Sequence, residues 1–349
     1  MLLTIYIPTF NRGSRLEKSL RDVFNEIKVR KLESTVEVLV GDNASADNTP
    51  RVCLNAQGVA AKEGIKFGYF KNLENLGFSG NLAAGLERIS SEWVMFLSDD
   101  DNLCAGALTQ VCHDLKTKGP SLALYNFSQP PFDFGNPLIT QEFSTDRNVD
   151  YLCVSSLVVW PKMTGIVLEM SPIDRKTSQI KEICAFSPNF AHVILSFFLF
   201  SQAPNLYKST TFLAEPDKDF LDHVNYLPYI GLYLAAELES YRKFFDPNNS
   251  SLGLVIDQIP KTNILEVSVE ALIGFYRGRV RMTKMVKSIL INNISRFLLG
   301  RRKTKDGLSY SRLSPLFHIK LLSIPFFWVL AVYTSYVRGR HPLLMKDGF

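Results

Sequence analysis

A chain of 349 residues with 46% apolar and 21% charged content is long enough to bury a sizeable core and too apolar to be disordered. Its formal charge of +5 conceals a step, because residues 271–349 hold fifteen Lys and Arg against Asp306 and Asp347, leaving about −8 for the first 270 residues. The five cysteines (Cys53, Cys104, Cys112, Cys153 and Cys184) form no CxxC pair, a pattern of buried thiols in a reducing compartment rather than of a disulfide framework.

The first residues lack a basic n-region and a long apolar core, so they read as a strand and not as a cleaved signal peptide. That strand covers residues 2–7 and ends at Pro8. Ser14 and Glu17 have the S-x-x-E form of a capping box, followed by Leu16, Leu20, Val23, Phe24 and Ile27 at helical spacing. A second strand spans residues 36–40, and Thr49-Pro50 suits an N-cap with proline at the first helical position. Strand candidates at 65–70, 93–97 and 121–125 alternate with helices over 79–89 and 105–115, the latter stopped by Gly119-Pro120. Strands apolar on both faces, alternating with helices, predict a doubly wound and mostly parallel sheet.

Later regions are less regular. Residues 129–150 read as a long Pro-, Asp-, Asn- and Gly-rich loop, and 154–170 as two strands around Gly165. Helical runs follow over 181–200 and 226–242. Residues 280–299 mix Arg and Lys with large apolar side chains, and 321–337 carry no charge. The uncharged stretch is shorter than the roughly 20 residues that span a bilayer and contains Pro325, so it fits an interfacial helix with Trp328, Tyr333 and Tyr336 at the boundary. The basic tail lacks zinc-finger spacing or an RNA-binding aromatic signature, which argues against nucleic acid as partner.

In an open parallel sheet, ligands bind beyond the carboxyl ends of the strands. Three polar clusters fall there: Pro8-Thr9-Phe10-Asn11-Arg12, the turn from Asp42 to Thr49, and Ser98-Asp99-Asp100-Asp101-Asn102. Three adjacent carboxylates repel one another unless a cation or solvent relieves them, and they are hard oxygen ligands suited to Mg²⁺ or Mn²⁺. A solvated acidic turn near a helix N-terminus is the plainer explanation. Asp42 suits either a base or ribose contact or a helix cap. The segment from Asn75 to Leu86 is a glycine-bearing approach to a helix, useful near phosphates, and lacks the Walker pattern.

In this order the segments PTFNR, GDNASADNT, NLGFSGNLAAGL and FLSDDDN resemble the N-terminal half of family-2 glycosyltransferases, over about residues 2–126. The resemblance implies an α/β GT-A fold, to which the charge step and the apolar stretches add a helical, basic C-terminal extension. The chain is expected to divide into a nucleotide-sugar-binding half (1–126), an acceptor-binding half (127–250) and a helical, membrane-associating region (251–349). The resemblance also bears on single residues. It implies that Pro8, Thr9 and Asn11 line the nucleotide pocket with Arg12 close by, that Asp42 contacts the nucleobase, and that Asn75, Gly77 and Asn81 shape the donor site. The family's D-x-D element binds the diphosphate through a divalent metal, Mg²⁺ or Mn²⁺. Here Ser98-Asp99-Asp100-Asp101 stands where many members read Asp-Ser-Asp-Asp. The metal is accordingly assigned to Asp101 and Asp100, with Asp99 and Asp100 toward the donor.

Members usually invert the anomeric centre in one displacement, with a base that deprotonates the acceptor hydroxyl. The Glu-Asp pair that many use has no clear counterpart here. Glu182 and His192 are the candidate bases, each with an ordinary structural role as the alternative. The expected donor is a UDP-sugar, with dTDP- and CDP-sugars open. The basic, apolar tail points to a polyprenyl-linked saccharide acceptor in surface-polysaccharide assembly, with the protein cytoplasmic and peripheral on the inner membrane face. The competing expectation is a non-catalytic nucleotide-binding scaffold on the same fold. An aspartyl phosphatase is disfavoured by the absence of D-x-D-x-[TV].

Overall fold

Residues Leu3–Thr9 form β1, Gly13–Val29 α1, Val36–Asp42 β2, Thr49–Glu63 α2, Lys66–Lys71 β3, Gly77–Leu86 α3 and Trp93–Phe96 β4. They are followed by β5 (Asp101–Leu103), α4 (Ala107–Lys118), β6 (Leu122–Phe127), β7 (Ile166–Glu169), α5 (Gln179–Ala185), α6 (Ala191–Gln202) and β8 (Leu206–Pro216). This computed structural model describes residues 1–127, 163–173, 178–203 and 205–216. The expected loop at 129–150, the first of the two strands around Gly165, the helix at 226–242 and the stretches at 280–299 and 321–337 lie outside the described residues.

The strands make one sheet in the order β3-β2-β1-β4-β7-β6-β8-β5. Its N-terminal part is parallel, with β1 between β2 and β4 and β3 beyond β2. The sheet is mixed, with four of its seven pairings among the described residues parallel. Strand β7 runs antiparallel to both β4 and β6, and β5 runs antiparallel to β8, while β6 and β8 are parallel. The apolar run at 121–125 therefore forms a strand as expected but does not pair with β4. The intervening β7 lies more than 30 positions later, and nothing local in the run encodes that partner.

Alternation along the strands builds two apolar layers. Leu3, Ile5 and Ile7 of β1 join Val36, Val38 and Val40 of β2 in a core closed by Leu16, Leu20, Val23, Phe24 and Ile27 of α1, with α2 and α4 alongside. Each large apolar side chain buried there contributes roughly 1.5–3 kcal/mol. On the other face Tyr6, Val94 and Phe96 are buried, and α3 packs along α5, which packs along α6. Helix α4 ends at Gly119, whose φ of 53° lies in the left-handed region where glycine carries no Cβ penalty.

Two boundary expectations are corrected. β1 continues through Pro8, which stands opposite Gly41, and ends at Thr9. The β1–β4 register stops at Tyr6 and Phe96, so a proline two residues on leaves no ladder bond unmade on that side. The S-x-x-E pattern does not cap α1, because the helix starts at Gly13, with Arg12 at the N-cap, and no cap-residue side chain bonds its first turn.

Candidate active site

β1, β2 and β4 are parallel, so the turns that follow them open on one rim. The first turn is pinned by Asn11, which adopts φ 54°, a left-handed conformation that asparagine tolerates better than most residues. Its backbone N–H donates to Ser45 Oγ at 2.8 Å, and its side-chain Oδ1 accepts from the Ala46 N–H at 2.8 Å. Asn11 thus braces the first turn against the second.

The second turn is built around Asp42, which is fully buried at the end of β2. Its Oδ1 accepts the Ser45 N–H at 2.8 Å and its Oδ2 the Tyr69 hydroxyl at 3.1 Å. These bonds hold Ala44 at φ 64°, a conformation costing about 1 kcal/mol for a residue with a Cβ. Lys71 donates to the Ser45 carbonyl at 2.8 Å from the end of β3.

Asp47 supplies the caps that the helices lack locally. Its Oδ2 accepts the Gly13 N–H at 3.0 Å, while Oδ1 accepts the Thr49 N–H at 2.9 Å and the Thr49 hydroxyl at 2.5 Å. One carboxylate therefore serves the positive ends of both α1 and α2. α2 begins at Thr49 with Asn48 at the N-cap, one residue earlier than the expected cap at Thr49. Burial pushes the Asp47 carboxyl up, but the hydrogen bonds from Gly13 and Thr49 outweigh it and hold it below its usual range. Asp47→Ala is expected to cost about 1 kcal/mol, kept small by solvent screening of an exposed side chain. Because the folded-state pKa is depressed, that contribution is present above the ordinary carboxylate range and is lost as pH falls through the folded value. Urea melts of both proteins at neutral and acid pH check this, with the difference expected to shrink in acid.

Asparagines shape the approach to α3. Asn43 donates to Asn75 Oδ1 at 2.6 Å and to the Gly77 carbonyl at 3.1 Å, and its own Oδ1 accepts from Asn72 at 3.2 Å and from the Leu76 N–H at 2.9 Å. Asn81 accepts from Asn72 at 3.0 Å and donates to the Gly41 carbonyl at 2.8 Å, and its carbonyl accepts the Tyr6 hydroxyl at 2.7 Å. Asn75 and Asn81, expected at the donor, are both engaged in holding this frame.

The acidic run meets the first turn directly. Thr9 donates to Asp99 Oδ2 at 2.6 Å, and Arg12 donates to Asp99 Oδ1 at 2.8 Å and to Asp100 Oδ2 at 3.1 Å. Arg15 lies 3.6 Å from the same Asp100 oxygen, and Ser98 donates to Asp100 Oδ1 at 2.5 Å. Burial raises the Asp99 carboxyl above its ordinary range, against the pull of the Arg12 charge and the Thr9 hydrogen bond. Asp101 turns elsewhere: its Oδ2 accepts the Thr164 hydroxyl at 2.5 Å, and Thr164 Oγ1 in turn accepts the Ser98 N–H at 3.0 Å.

The expected compact ligand set is therefore not preassembled. The oxygens have the right chemistry for a hard divalent ion, and Asp100 and Asp101 are adjacent, but the carboxylates face different partners. Among the described residues, no group of three or more His, Cys, Asp or Glu could hold a metal ion.

The profile of the family described as glycosyl transferase family 2 matches residues 4–163. Residues 4–163 are a family-2 glycosyltransferase domain. This glycosyltransferase domain is 37% identical over 108 residues to a GalNAc(5)-diNAcBac-PP-undecaprenol beta-1,3-glucosyltransferase of Campylobacter jejuni, covering 31% of this chain and 32% of that one. It is 31% identical over 101 residues to an uncharacterized glycosyltransferase of Mycoplasma genitalium, covering 29% of this chain and 33% of that protein. The matched stretch spans about a third of the length of these curated relatives. The fold is similar to that of S. aureus TarS, residues 1–349, solved also with UDP-GlcNAc, at a TM-score of 0.59 and 15% identity over 98% of this chain and 93% of that one. It is similar as well to a mannosyltransferase of Pyrobaculum calidifontis solved with GDP-Man and Mn²⁺, at a TM-score of 0.51 and 12% identity over 97% and 88% of the two chains. At these identities the likeness establishes the GT-A fold.

The glycosyltransferase domain brings Pro8, Thr9, Asn11, Arg12, Asp99 and Asp100 to one rim, joined to Asp42, Asn75, Gly77 and Asn81 through the second turn. The candidate bases lie on other elements. Glu182 is exposed in the first turn of α5 and accepts a hydrogen bond from Ser178. His192 is buried in α6 between Phe78 and Phe190, with ring centroids 5.6 and 6.2 Å away. Asn43, Ser45 and Asp47 lie in the polar turn that sequence reasoning singled out without giving them a role, and it missed Tyr69 and Thr164. An aspartate two residues before Thr49-Pro50 is a readable turn signal for Asp47. Thr164 stands 63 positions from Asp101, and no local pattern announces it.

Proposed function

We propose that the chain is an inverting glycosyltransferase that moves a sugar from a nucleotide-diphospho-sugar to a lipid-linked saccharide acceptor in surface-polysaccharide synthesis. The observation carrying this reading is the convergence of the first turn and the acidic run, where Thr9 and Arg12 close on Asp99 and Asp100 beside a braced second turn. The UDP-GlcNAc complex of the TarS fold supports a UDP-sugar as the default donor, with dTDP- and CDP-sugars as alternatives. The polyprenyl-diphosphate substrate in the Campylobacter relative's name supports the class of acceptor.

In this reading the first turn, through Pro8, Thr9 and Asn11, seats the nucleotide. Asp42 meets the nucleobase when a base N–H takes the place of the Tyr69 hydroxyl. Arg12 faces the diphosphate, and Asp99 and Asp100 face the ribose and sugar. Asp100 and Asp101 would hold Mg²⁺ or Mn²⁺, which when bound neutralises charge on the departing diphosphate. The acceptor oxygen attacks the anomeric carbon as the bond to the donor phosphate breaks and a base takes the hydroxyl proton. Of the two candidate bases His192 is preferred, since it packs on Phe78, one residue past Gly77. Residues 127–250 would receive the acceptor. Residues 251–349 would rest on the inner face of the cell membrane, through their basic charge and apolar side chains. No helix among the described residues is long and apolar enough to cross a membrane.

The test is incubation of the full chain with UDP-, dTDP- and CDP-sugars, Mn²⁺ and polyprenyl-diphosphate-linked saccharides. Transfer from one donor class, lost on chelation, is the expected result. Donor binding without turnover would mean the scaffold reading, and release of inorganic phosphate a phosphatase.

A further inference from the structure

Asp100, one of the two carboxylates that would receive a cation, and its neighbour Asp99 are already matched by cations of the chain's own. Arg12 bonds both Asp99 and Asp100, and Arg15 approaches Asp100 from the first turn of α1. Two guanidiniums thus sit against two of the three carboxylates, Asp99 and Asp100. Their exposures differ in a way that decides which partner can leave: the arginine side chains are 39% and 38% exposed, whereas Asp99 and Asp100 are 3% and 12% exposed. The arginines can swing outward without opening the core, and the carboxylates cannot follow. Asp99 would not be stranded, because the buried Thr9 hydroxyl stays on its second oxygen.

A guanidinium is a planar fork of N–H donors that fits a phosphate as well as a carboxylate. A diphosphate carrying a divalent ion brings equal and opposite charge to this rim. The exchange of partners therefore conserves local charge, with the guanidiniums moving to phosphate oxygens and the cation to the carboxylates. Carboxylate-bound guanidiniums oppose a cation that arrives alone, and only a cation arriving with a diphosphate offers them a new partner.

We propose that Arg12 and Arg15 are resident counter-ions of the acidic run that exclude a lone divalent cation and transfer to the donor's diphosphate when it binds. This rests on the cation reading under Proposed function, and it adds an ordered coupling between metal and donor that the reading alone does not require.

The two binding steps should respond to the arginines with opposite sign. Mn²⁺ alone is titrated calorimetrically into the full-length wild type, Arg12→Gln, Arg15→Gln and the double variant at fixed ionic strength. The nucleoside diphosphate giving the largest thermal shift is titrated without metal in parallel. The double variant is expected to bind Mn²⁺ about tenfold tighter than wild type and the nucleotide about tenfold more weakly. Arg15→Gln, at a half-buried helical position, gives the same signs to a smaller extent and guards against misfolding of the double variant. Equal Mn²⁺ affinity in all four proteins overturns the exclusion and leaves the cation reading standing. No Mn²⁺ binding by any of them overturns both. Tighter Mn²⁺ with unchanged nucleotide affinity overturns the transfer of the guanidiniums.

Discussion

Asp101→Asn is expected to lower sugar transfer by about a hundredfold or more while leaving the melting temperature close to that of the wild type. The amide oxygen can still accept the Thr164 hydroxyl that now bonds Asp101 at 2.5 Å. The backbone contacts that place the residue, its N–H to the Ser98 carbonyl and its register against Pro216, do not involve the side chain. The substitution therefore removes the negative charge while keeping the oxygen that Thr164 bonds. A companion pair isolates how the carboxylate is held. Thr164→Ser keeps a hydroxyl between Ser98 and Asp101, whereas Thr164→Val removes it and should cost roughly tenfold in kcat/KM, as loss of a group that orients a ligand does. Steady-state kinetics with saturating Mn²⁺ decide the matter. An Asp101→Asn enzyme working at the wild-type rate would remove Asp101 from the cation site.

The largest expected loss of stability lies on the opposite side of the sheet, at Gly85→Ala. A Cβ on Gly85 would stand 2.1 Å from Tyr6 Cζ and 2.4 Å from its hydroxyl oxygen, and one on Gly41 would stand 2.5 Å from the same oxygen. The ring has no room to turn away. It is fully buried, meets Phe96 edge-on at 6.4 Å between centroids, and donates to the Asn81 carbonyl. Helix α3 would have to lift off β1, at a cost of about 3 kcal/mol, read as a lower urea midpoint with an unchanged slope. Tyr6→Phe should not rescue it, since Cζ itself is in the way. Rescue by Tyr6→Phe would show that only the hydroxyl is in conflict. Donor affinity should fall as well, because Gly77 and Asn81 ride on α3.

Much of this architecture was legible because it is local. Apolar runs followed by polar turns located β1, β2 and β4, and helical spacing located the apolar residues of the buried face of α1, though not the buried Ser19 and Glu26 beside them. The sheet's reversal at β7 was not legible, because strand direction there depends on a partner distant in sequence. The acidic run was found by its density of charge, yet its members were expected to point together. They diverge because each has a nearer partner, Thr9 and Arg12 for Asp99, both arginines and Ser98 for Asp100, and Thr164 for Asp101. The resemblance places Asn11, Asn75 and Asn81 at the donor, and the hydrogen bonds they make within the turns are a scaffolding role that a motif does not encode. Ser14 and Glu17 fitted a capping pattern that Asp47 displaced from 34 positions downstream, since a carboxylate from a neighbouring turn is as good an acceptor as one in the cap itself.

The frame around the rim is tied chiefly by amides: Asn43, Asn72, Asn75 and Asn81 bond one another and the backbone of three segments. Neutral amides neither titrate near physiological pH nor feel added electrolyte. The asparagine frame is thus indifferent to the ionic medium, and sensitivity to electrolyte within this rim is concentrated where guanidinium meets carboxylate. Varying sodium chloride therefore perturbs the ionic contacts while the asparagine mount stays fixed.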